Sequence, residues 1–209
     1  MKPVIFMDWD GTIADSMRLC IEEVRYALVH MGLPDRPDRE LMQCNGPTNV
    51  ESIALMNVPE ERGDEYLALR EKAELELLSA YQRIFPGMKE MLHRVQSCAR
   101  LVIVSNGNAA YLNASMDFLG VQECFERAQG YRDGHTKAEN LAMLLEEMHP
   151  TKAVMVGDRA GDMLAGKANH LPTIAACYGY GSPEEWAMAD EQAYSVAQLE
   201  QMILHLAEE

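Results

Sequence analysis

Three short runs of apolar residues stand out along the chain, and each is followed at once by polar residues or glycine. They are Val4–Met7, Leu101–Val104 and Ala153–Val156, and Thr173–Cys177 is a fourth candidate. Hydrophobicity within these runs is continuous rather than alternating, which is typical of parallel strands that are buried on both faces. The runs therefore predict the central strands of a parallel sheet.

Helix signals separate or follow these runs. Three predicted helices begin with a capping box, in which a Ser or Thr caps the first turn and a Glu or Gln three residues later bonds back. The pairs are Thr136 with Glu139, Ser182 with Glu185, and Ser195 with Gln198. Strands that alternate with helices predict an α/β fold with helices on both faces of the parallel sheet.

Residues 16–85 carry helical patterns and no convincing strand. The apolar stripes are Met17, Ile21, Val24, Leu28 and Met31, and then Tyr66, Leu69, Ala73, Leu77 and Tyr81. We predict an inserted helical domain at residues 16–85 and a core domain formed by residues 1–15 and 86–209. The alternative is a single large crossover in which all these helices pack on the sheet.

Composition limits the classes of function. The chain has 209 residues and a formal net charge of −15. This charge argues against nonspecific nucleic-acid binding and against adhesion to anionic membranes, because both need an excess of Lys and Arg. Residues 184–209 hold seven acids and no Lys or Arg, and we expect them to form a solvated acidic tail. Five separated cysteines without a CxxC pair favour a reduced, cytoplasmic location.

Acidic residues follow two of the predicted strands. Asp8 and Asp10 lie two residues apart after the first run, so both side chains can face one small volume. Asp158 and Asp162 follow the third run, and the carboxyl ends of parallel strands line the ligand crevice of such sheets. Four converging carboxylates repel one another unless a cation is bound, and oxygen ligands are those that Mg²⁺ prefers. The spacing therefore predicts a Mg²⁺ site.

Phosphate-binding candidates occupy the remaining positions. Ser105 and Asn106 follow the second run, where a hydroxyl and backbone N–H groups at a helix N-terminus suit phosphate oxygens. Lys137 lies in the first turn of the helix capped by Thr136, where a cation opposes the helix dipole. A nearby carboxylate and a phosphoryl group would compensate that cost.

The ordered motifs resemble those of the haloacid dehalogenase superfamily. They are Asp8-Trp9-Asp10-Gly11-Thr12, Val104-Ser105-Asn106, Lys137, and Gly157-Asp158-Arg159-Ala160-Gly161-Asp162. The resemblance implies a Rossmann-like core with an inserted α-helical cap, similar to the subclass that contains phosphoglycolate phosphatases and β-phosphoglucomutases. It also implies a small phosphorylated metabolite as the partner, whereas the expectation of no nucleic-acid and no membrane partner follows from the net charge.

The resemblance also implies catalytic roles. Asp8 would be the nucleophile that forms an aspartyl-phosphate, and Asp10 the general acid and then the general base. Lys137 would neutralise charge, while Thr12, Ser105 and the Asn106 backbone would hold the phosphate. The implied metal ligands are Asp8, the Asp10 carbonyl, Asp158 and Asp162.

Several activities fit these motifs. The leading prediction is a Mg²⁺-dependent phosphatase of small phosphomonoesters, because Asp10 suits an alkoxide leaving group rather than a halide. A β-phosphoglucomutase-like sugar-phosphate mutase and a non-catalytic binding domain are the alternatives. Asn45 and Thr48, in the inserted segment, are candidate specificity residues.

Two further features lie close to the motifs in sequence. The stretch from Gly161 to Ala168 resembles a phosphate-binding P-loop, but Ala168 occupies the position of the required Ser or Thr, so we expect no nucleotide site there. Trp9 should point away from its two flanking aspartates by strand alternation.

Overall fold

The computed structural model of the protein describes residues 2–208 and divides into two compact units. The core unit comprises Met1–Asp15 and Ile84–Glu209, and the helical unit comprises Ser16–Arg83. The chain returns from the helical unit to the core unit between residues 83 and 84. The sequence pattern predicts this return after residue 85. No helix among residues 2–208 has both the length and the apolar composition needed to cross a membrane.

Strands and helices alternate through most of the core unit, whereas helices dominate the other unit. The strands are β1 Val4–Met7, β2 Ala14–Asp15, β3 Arg83–Ile84, β4 Arg100–Val104, β5 Arg127–Gln129, β6 Ala153–Gly157, β7 Thr173–Ala176 and β8 Glu191–Ala193. The helices are α1 Met17–His30, α2 Asp38–Leu41, α3 Asn49–Leu55, α4 Gly63–Tyr81, α5 Met88–Val95, α6 Ala109–Leu119, α7 Lys137–Met148, α8 Ala160–Ala168, α9 Pro183–Trp186 and α10 Val196–Glu208.

Six strands form one sheet in the order β5-β4-β1-β6-β7-β8, and every adjacent pair is parallel. The predicted α/β fold is therefore confirmed. Met7 at the end of β1 lies opposite Ile103 of β4 and Val156 of β6. This register brings the residues that follow the three strands to the same edge of the sheet.

The three central strands form the buried layer of the core unit. All residues of β1 and β6 and the last four of β4 are buried. One face packs on α7, where Phe6, Val104 and Met155 belong to a cluster with Leu141 and Leu144. Burial of each such apolar side chain stabilises the folded state by about 1.5–3 kcal/mol. Because both faces of the central strands are buried, their apolar residues are continuous rather than alternating.

The sheet also contains two strands that the hydrophobic pattern does not predict. The sequence of β5 is Arg-Ala-Gln and that of β8 is Glu-Gln-Ala, and both strands lie at the edges of the sheet. Their residues are mostly exposed or half-buried, so pairing with β4 and β7 determines their conformation. The two-residue strands β2 and β3 form a separate small sheet, and β3 corrects the prediction that residues 16–85 lack strands.

The helical unit is built around α1 and α4. Ile21, Val24 and Leu28 of α1 belong to one buried cluster with Tyr66 of α4. The predicted stripe is shifted in one turn of α4, where Leu78 is buried and Leu77 only half-buried. Rather than being wholly apolar, the interior of this unit also holds an ion pair.

That ion pair joins Arg70 of α4 to Glu23 of α1, and Glu23 is 4% exposed. The Arg70 guanidinium also donates to Ser52 Oγ at 2.7 Å, and Ser52 Oγ lies 3.0 Å from the Tyr66 hydroxyl. Removing one partner of such a pair leaves a buried charge without compensation. The pair therefore ties α1 to α4 and, through Ser52, to α3.

The acidic C-terminal segment is not a solvated tail. Residues 184–208 run through α9, β8 and α10, and Glu200 is 9% exposed and paired with Arg94 of α5. Glu185 pairs with Arg159 at 3.1 Å. Basic residues from distant parts of the chain thus pair with two of the acids that the local sequence leaves unbalanced.

Candidate active site

The carboxyl edge of the sheet gathers the predicted catalytic and metal-binding residues. Asp8 follows β1, Ser105 follows β4 and Asp158 follows β6, while Asp162 lies in the first turn of α8. All four residues are buried. The parallel register of the three strands is the reason that residues separated by up to 154 positions in sequence meet here.

A tight turn holds the segment that follows Asp8. The Trp9 carbonyl accepts the N–H groups of Ile13 and Ala14 at 2.9 Å each. Gly11 adopts φ +80°, and a Cβ there would lie 2.2 Å from Oδ2 of Asp158. Only glycine combines this backbone conformation with so close an approach, and the turn therefore packs directly on Asp158.

The Trp9 side chain lies in the core, as strand alternation predicts. It is fully buried, donates from Nε1 to Ser115 Oγ at 3.1 Å and packs edge-on against Phe125. Its role is therefore to anchor the turn between Asp8 and Asp10.

A half-buried lysine joins two of the carboxylates. Nζ of Lys137 donates to Oδ1 of Asp8 at 2.8 Å and to Oδ1 of Asp162 at 2.6 Å. The capping box of Thr136 with Glu139 sets the start of α7 and hence the position of Lys137. Burial opposes the charged form of Lys137, but Asp162 and Asp8 outweigh this effect and raise its pKa.

Burial raises the pKa of two carboxyl groups of the site, Asp8 and Asp158, whereas it opposes the charged form of Lys137. Burial, the charge of Asp162 and the charge of Asp10 raise the pKa of Asp8 to about 7, although Lys137 lowers it. Burial also raises the pKa of Asp158 well above its ordinary value, with further contributions from Asp162 and Asp8. In the absence of a bound cation, ionisation of Asp8 and Asp158 is therefore less favourable in the folded protein than in water.

The segment after β7 holds Asp158, and the sequence motifs do not predict this. The Tyr180 N–H donates to Oδ2 of Asp158 at 2.7 Å, and Nε1 of Trp186 donates to its carbonyl at 3.0 Å. Gly181 packs so closely that a Cβ would lie 1.9 Å from that carbonyl oxygen. No spacing pattern links residues 180–186 to Asp158, so only the folded chain identifies them.

The acidic cluster fits a divalent cation. Asp8, Asp158 and Asp162 each offer a carboxylate oxygen, and these oxygens lie within 4.8 Å of one another. Oδ1 of Asp158 is buried and has no hydrogen-bond partner in the described part of the chain. The candidate ligands are all carboxylate oxygens, one of which is buried without a hydrogen-bond partner, and a single lysine lies beside them. Oxygen ligands of this kind suit a hard cation such as Mg²⁺.

The predicted phosphate-binding residues lie along the same edge. Ser105 Oγ accepts the Gly107 N–H at 3.0 Å, which curls the loop after β4. The following helix begins only at Ala109 with Asn108 as its cap, so Ser105 and Asn106 precede the helix N-terminus rather than forming it. Thr12 is fully buried, and among residues 2–208 its hydroxyl oxygen finds no hydrogen-bond partner.

Asp10 is separate from the three-carboxylate cluster. Its Oδ1 accepts a hydrogen bond of 2.6 Å from the Tyr111 hydroxyl of α6, a contact that no sequence motif predicts. The cluster of ligand oxygens contains no side-chain atom of Asp10 among the described residues. The aspartates at positions 8 and 10 therefore have different environments, which suits two different roles.

Other sequence candidates take structural positions. Residues 160–168 form α8, so the P-loop-like stretch is a helix and not a loop. Thr48 caps α3 through a capping box with Glu51, and Asn45 is buried with its amide 3.5 Å from Ser16 Oγ. Specificity roles for Asn45 and Thr48 stay predictions.

The fold and this site define an α/β protein with a buried, lysine-linked carboxylate cluster at the carboxyl edge of a parallel sheet. The model of the haloacid dehalogenase-like hydrolase family matches residues 4–176. The chain therefore belongs to this family, as its motifs predict.

Individual relatives carry different names. The chain is 28% identical over 189 residues to phosphoglycolate phosphatase of Aquifex aeolicus, with 85% of each chain covered. It is 27% identical over 185 residues to tyrosine-protein kinase PtkA of Mycobacterium tuberculosis, with 85% of this chain covered. The chain spans 63% of that kinase's length. A haloacid dehalogenase-like hydrolase from Streptococcus pneumoniae has the same fold, with a TM-score of 0.87 at 20% identity and 98% of each chain covered.

Proposed function

We propose that the protein is a Mg²⁺-dependent phosphatase that hydrolyses small phosphomonoesters through an aspartyl-phosphate on Asp8. The observation that carries this proposal is the bridge from Lys137 to Asp8 and Asp162 beside Asp158. Phosphoryl transfer needs positioning and charge neutralisation more than other covalent chemistry. A buried nucleophile, a half-buried ammonium and a carboxylate set suited to a cation supply both.

In the first half-reaction, a carboxylate oxygen of Asp8 attacks phosphorus and the bond from phosphorus to the leaving oxygen breaks. Asp10 gives its proton to that oxygen. In the second half-reaction, Asp10 takes a proton from water, the water oxygen attacks phosphorus, and the bond to Asp8 breaks. Lys137 keeps the Asp8 oxygen in place through its 2.8 Å hydrogen bond and offsets charge as the phosphoryl group is transferred.

Asp8, Asp158 and Asp162 are the side chains that would hold Mg²⁺, with the Asp10 carbonyl as a further ligand. The bound cation would neutralise phosphoryl oxygens and favour the ionised form of Asp8. Ser105, the Asn106 backbone and Thr12 would hold phosphate oxygens. The substrate class of this proposal is a small phosphorylated metabolite, and its location is the cytoplasm.

The relatives support phosphoryl chemistry but differ in the acceptor. A phosphatase transfers the phosphoryl group to water, and a tyrosine kinase transfers it to a phenol. The mutase that the sequence motifs also allow is not named among these relatives and would transfer the group to a sugar hydroxyl. The phosphoglycolate phosphatases cover this chain and their own length to similar extents, which favours water as the acceptor.

The test is phosphate release from a panel of small aryl and alkyl phosphomonoesters, with Mg²⁺ and with EDTA. We expect turnover that EDTA abolishes, and a loss of at least about 1000-fold in Asp8→Asn. Asp117→Asn is the matched control, because Asp117 is exposed on α6. Near-wild-type hydrolysis by Asp8→Asn would contradict the assignment of the nucleophile.

The same protein distinguishes the other acceptors. Interconversion of glucose 1- and 6-phosphate without free phosphate would establish a mutase. Transfer from ATP to a tyrosine peptide would establish a kinase. Failure of every Mg²⁺-dependent turnover across these substrates would leave a binding domain.

A further inference from the structure

Helix α6 contacts the turn after β1 at two points that lie one helical turn apart. The Tyr111 hydroxyl donates to Oδ1 of Asp10 at 2.6 Å, and Ser115 Oγ accepts from Nε1 of Trp9 at 3.1 Å. Residues at i and i+4 share one face of a helix. One face of α6 therefore holds the backbone turn through Trp9 and the Asp10 carboxyl group through Tyr111.

The Tyr111 side chain is itself held in place. It is 2% exposed, and its backbone N–H donates to the capping oxygen Oδ1 of Asn108 at 2.8 Å. Its ring packs on Gly107, where a Cβ would lie 3.0 Å from Cδ1 of the tyrosine. The hydroxyl group is thus placed by a helix cap on one side and by the loop after Ser105 on the other.

In the contact between Tyr111 and Asp10, the hydroxyl group is the donor and Oδ1 of Asp10 is the acceptor. O–H groups that donate to carboxylates do so at about 2.5–2.7 Å, and such bonds are stronger than neutral ones. A carboxyl group held at one oxygen cannot rotate freely about its Cβ–Cγ bond. The contact at Oδ1 therefore assigns any transferable proton of Asp10 to Oδ2.

We propose that Tyr111 is a positioning residue that holds Asp10 for proton transfer to and from the reacting oxygens; this inference rests on the proposed phosphatase function. When the bond from phosphorus to the leaving oxygen breaks, the proton on Oδ2 of Asp10 passes to that oxygen, and Asp10 becomes a carboxylate. The Tyr111 hydrogen bond stabilises this carboxylate. The proton that water later releases returns to Oδ2.

The test uses the dependence of the reaction on the leaving group. Phenyl phosphate needs protonation of its leaving oxygen, whereas 2,4-dinitrophenyl phosphate releases a stable phenolate without it. In Tyr111→Phe we expect kcat/KM for phenyl phosphate to fall at least about tenfold, since one hydrogen bond to a charged group is lost. For the dinitrophenyl ester we expect a change of less than about twofold, because no proton transfer is required.

Two control variants separate positioning from general damage. Tyr194→Phe removes the hydroxyl of a tyrosine that is 64% exposed, and both esters should react as with the wild type. Ser115→Ala removes the hydrogen bond to Trp9 and leaves the Tyr111 contact in place; because Trp9 anchors the turn that carries both Asp8 and Asp10, any loss should be of similar size for the two esters. In the Asp10→Asn background, Tyr111→Phe should add no loss that depends on the leaving group.

Equal loss on both esters, or no loss on either, in folded Tyr111→Phe would overturn the positioning role. If circular dichroism shows that Tyr111→Phe does not fold, Gly107→Ala provides the second variant, because its Cβ would lie 3.0 Å from the Tyr111 ring and would shift that ring by a few tenths of an ångström while the hydroxyl remains. The same dependence on the leaving group is expected there, and its absence overturns the proposal. A wild type that turns over neither of these esters nor any other phosphomonoester of the panel would instead refute the proposed function itself.

Discussion

Replacing Asp8 with asparagine should stabilise the metal-free protein above neutral pH. Asparagine keeps the shape of the side chain and an oxygen that accepts from Lys137, but it carries no charge. Burial and the charge of Asp162 raise the pKa of Asp8 from 3.8 to about 7. The ionised carboxylate is therefore a cost to the folded state, which the variant removes.

The sign and size of this stabilisation follow from the pKa of Asp8 in the unfolded and in the folded protein. As pH rises, the unfolded chain loses the Asp8 proton near pH 3.8, whereas the folded protein keeps it until about pH 7. Wild-type stability therefore falls between these values, because the unfolded state binds fewer protons. A tenfold change in proton affinity is worth about 1.4 kcal/mol, so the full cost approaches about 4 kcal/mol by about pH 8. The stabilisation by Asp8→Asn should grow by about 2–3 kcal/mol between about pH 5 and about pH 8.

Urea unfolding in EDTA at these two pH values measures the effect. Both tryptophans, Trp9 and Trp186, lie in the core unit, so their fluorescence reports the unit that contains Asp8. Asp117→Asn, an exposed change on α6, should show no such pH dependence. A gain that is equal at both pH values, or a loss at the higher pH, would refute the raised pKa. Added Mg²⁺ should stabilise the wild type and not the variant.

Three other changes test the packing around the site and in the helical unit. Gly181→Ala should abolish the Mg²⁺-induced rise in Tm, because its Cβ would lie 1.9 Å from the Asp158 carbonyl oxygen. Glu23→Gln should destabilise the helical unit by about 3–5 kcal/mol in urea unfolding followed by circular dichroism, since Arg70 would lose its buried partner. Thr136→Ala should lower the free energy of unfolding by about 1 kcal/mol through loss of the α7 cap, measured in the same way.

Matched variants make these outcomes decisive. Gly161→Ala adds a Cβ in open space on α8 and should keep the Mg²⁺ response. Glu71→Gln changes an exposed position of α4 and should leave stability within about 0.5 kcal/mol. A Mg²⁺ response that survives Gly181→Ala would contradict the close packing on Asp158. A Glu23→Gln effect no larger than that of Glu71→Gln would contradict the importance of the buried pair.

Signals carried by neighbouring residues predict much of the core unit. The central strands are continuous apolar runs, and the capping boxes at Thr136 and Ser182 begin helices where the sequence predicts them. These signals work because burial of both sheet faces and satisfaction of the first helical N–H groups depend on residue types within a few positions. The motifs that resemble the haloacid dehalogenase superfamily likewise predict the family to which the chain belongs.

Features that depend on distant residues are not predicted. Polar sequences form β5 and β8 because β4 and β7 offer them unpaired backbone groups. Glu200, an acid within a segment that lacks Lys and Arg, is paired because Arg94 of α5 packs beside it.

At the site, the sequence by itself determines which acids and which lysine are available and that they follow parallel strands. The tertiary structure decides what each one contacts: Lys137 joins Asp8 to Asp162, Tyr180 holds Asp158, and Tyr111 holds Asp10. Hydrogen bonds, burial and the pKa of a carboxyl group depend on distances of a few ångströms between groups about 20 to 130 residues apart. The sequence therefore determines which functional groups are present and which strands they follow, and only the folded chain determines which groups contact one another.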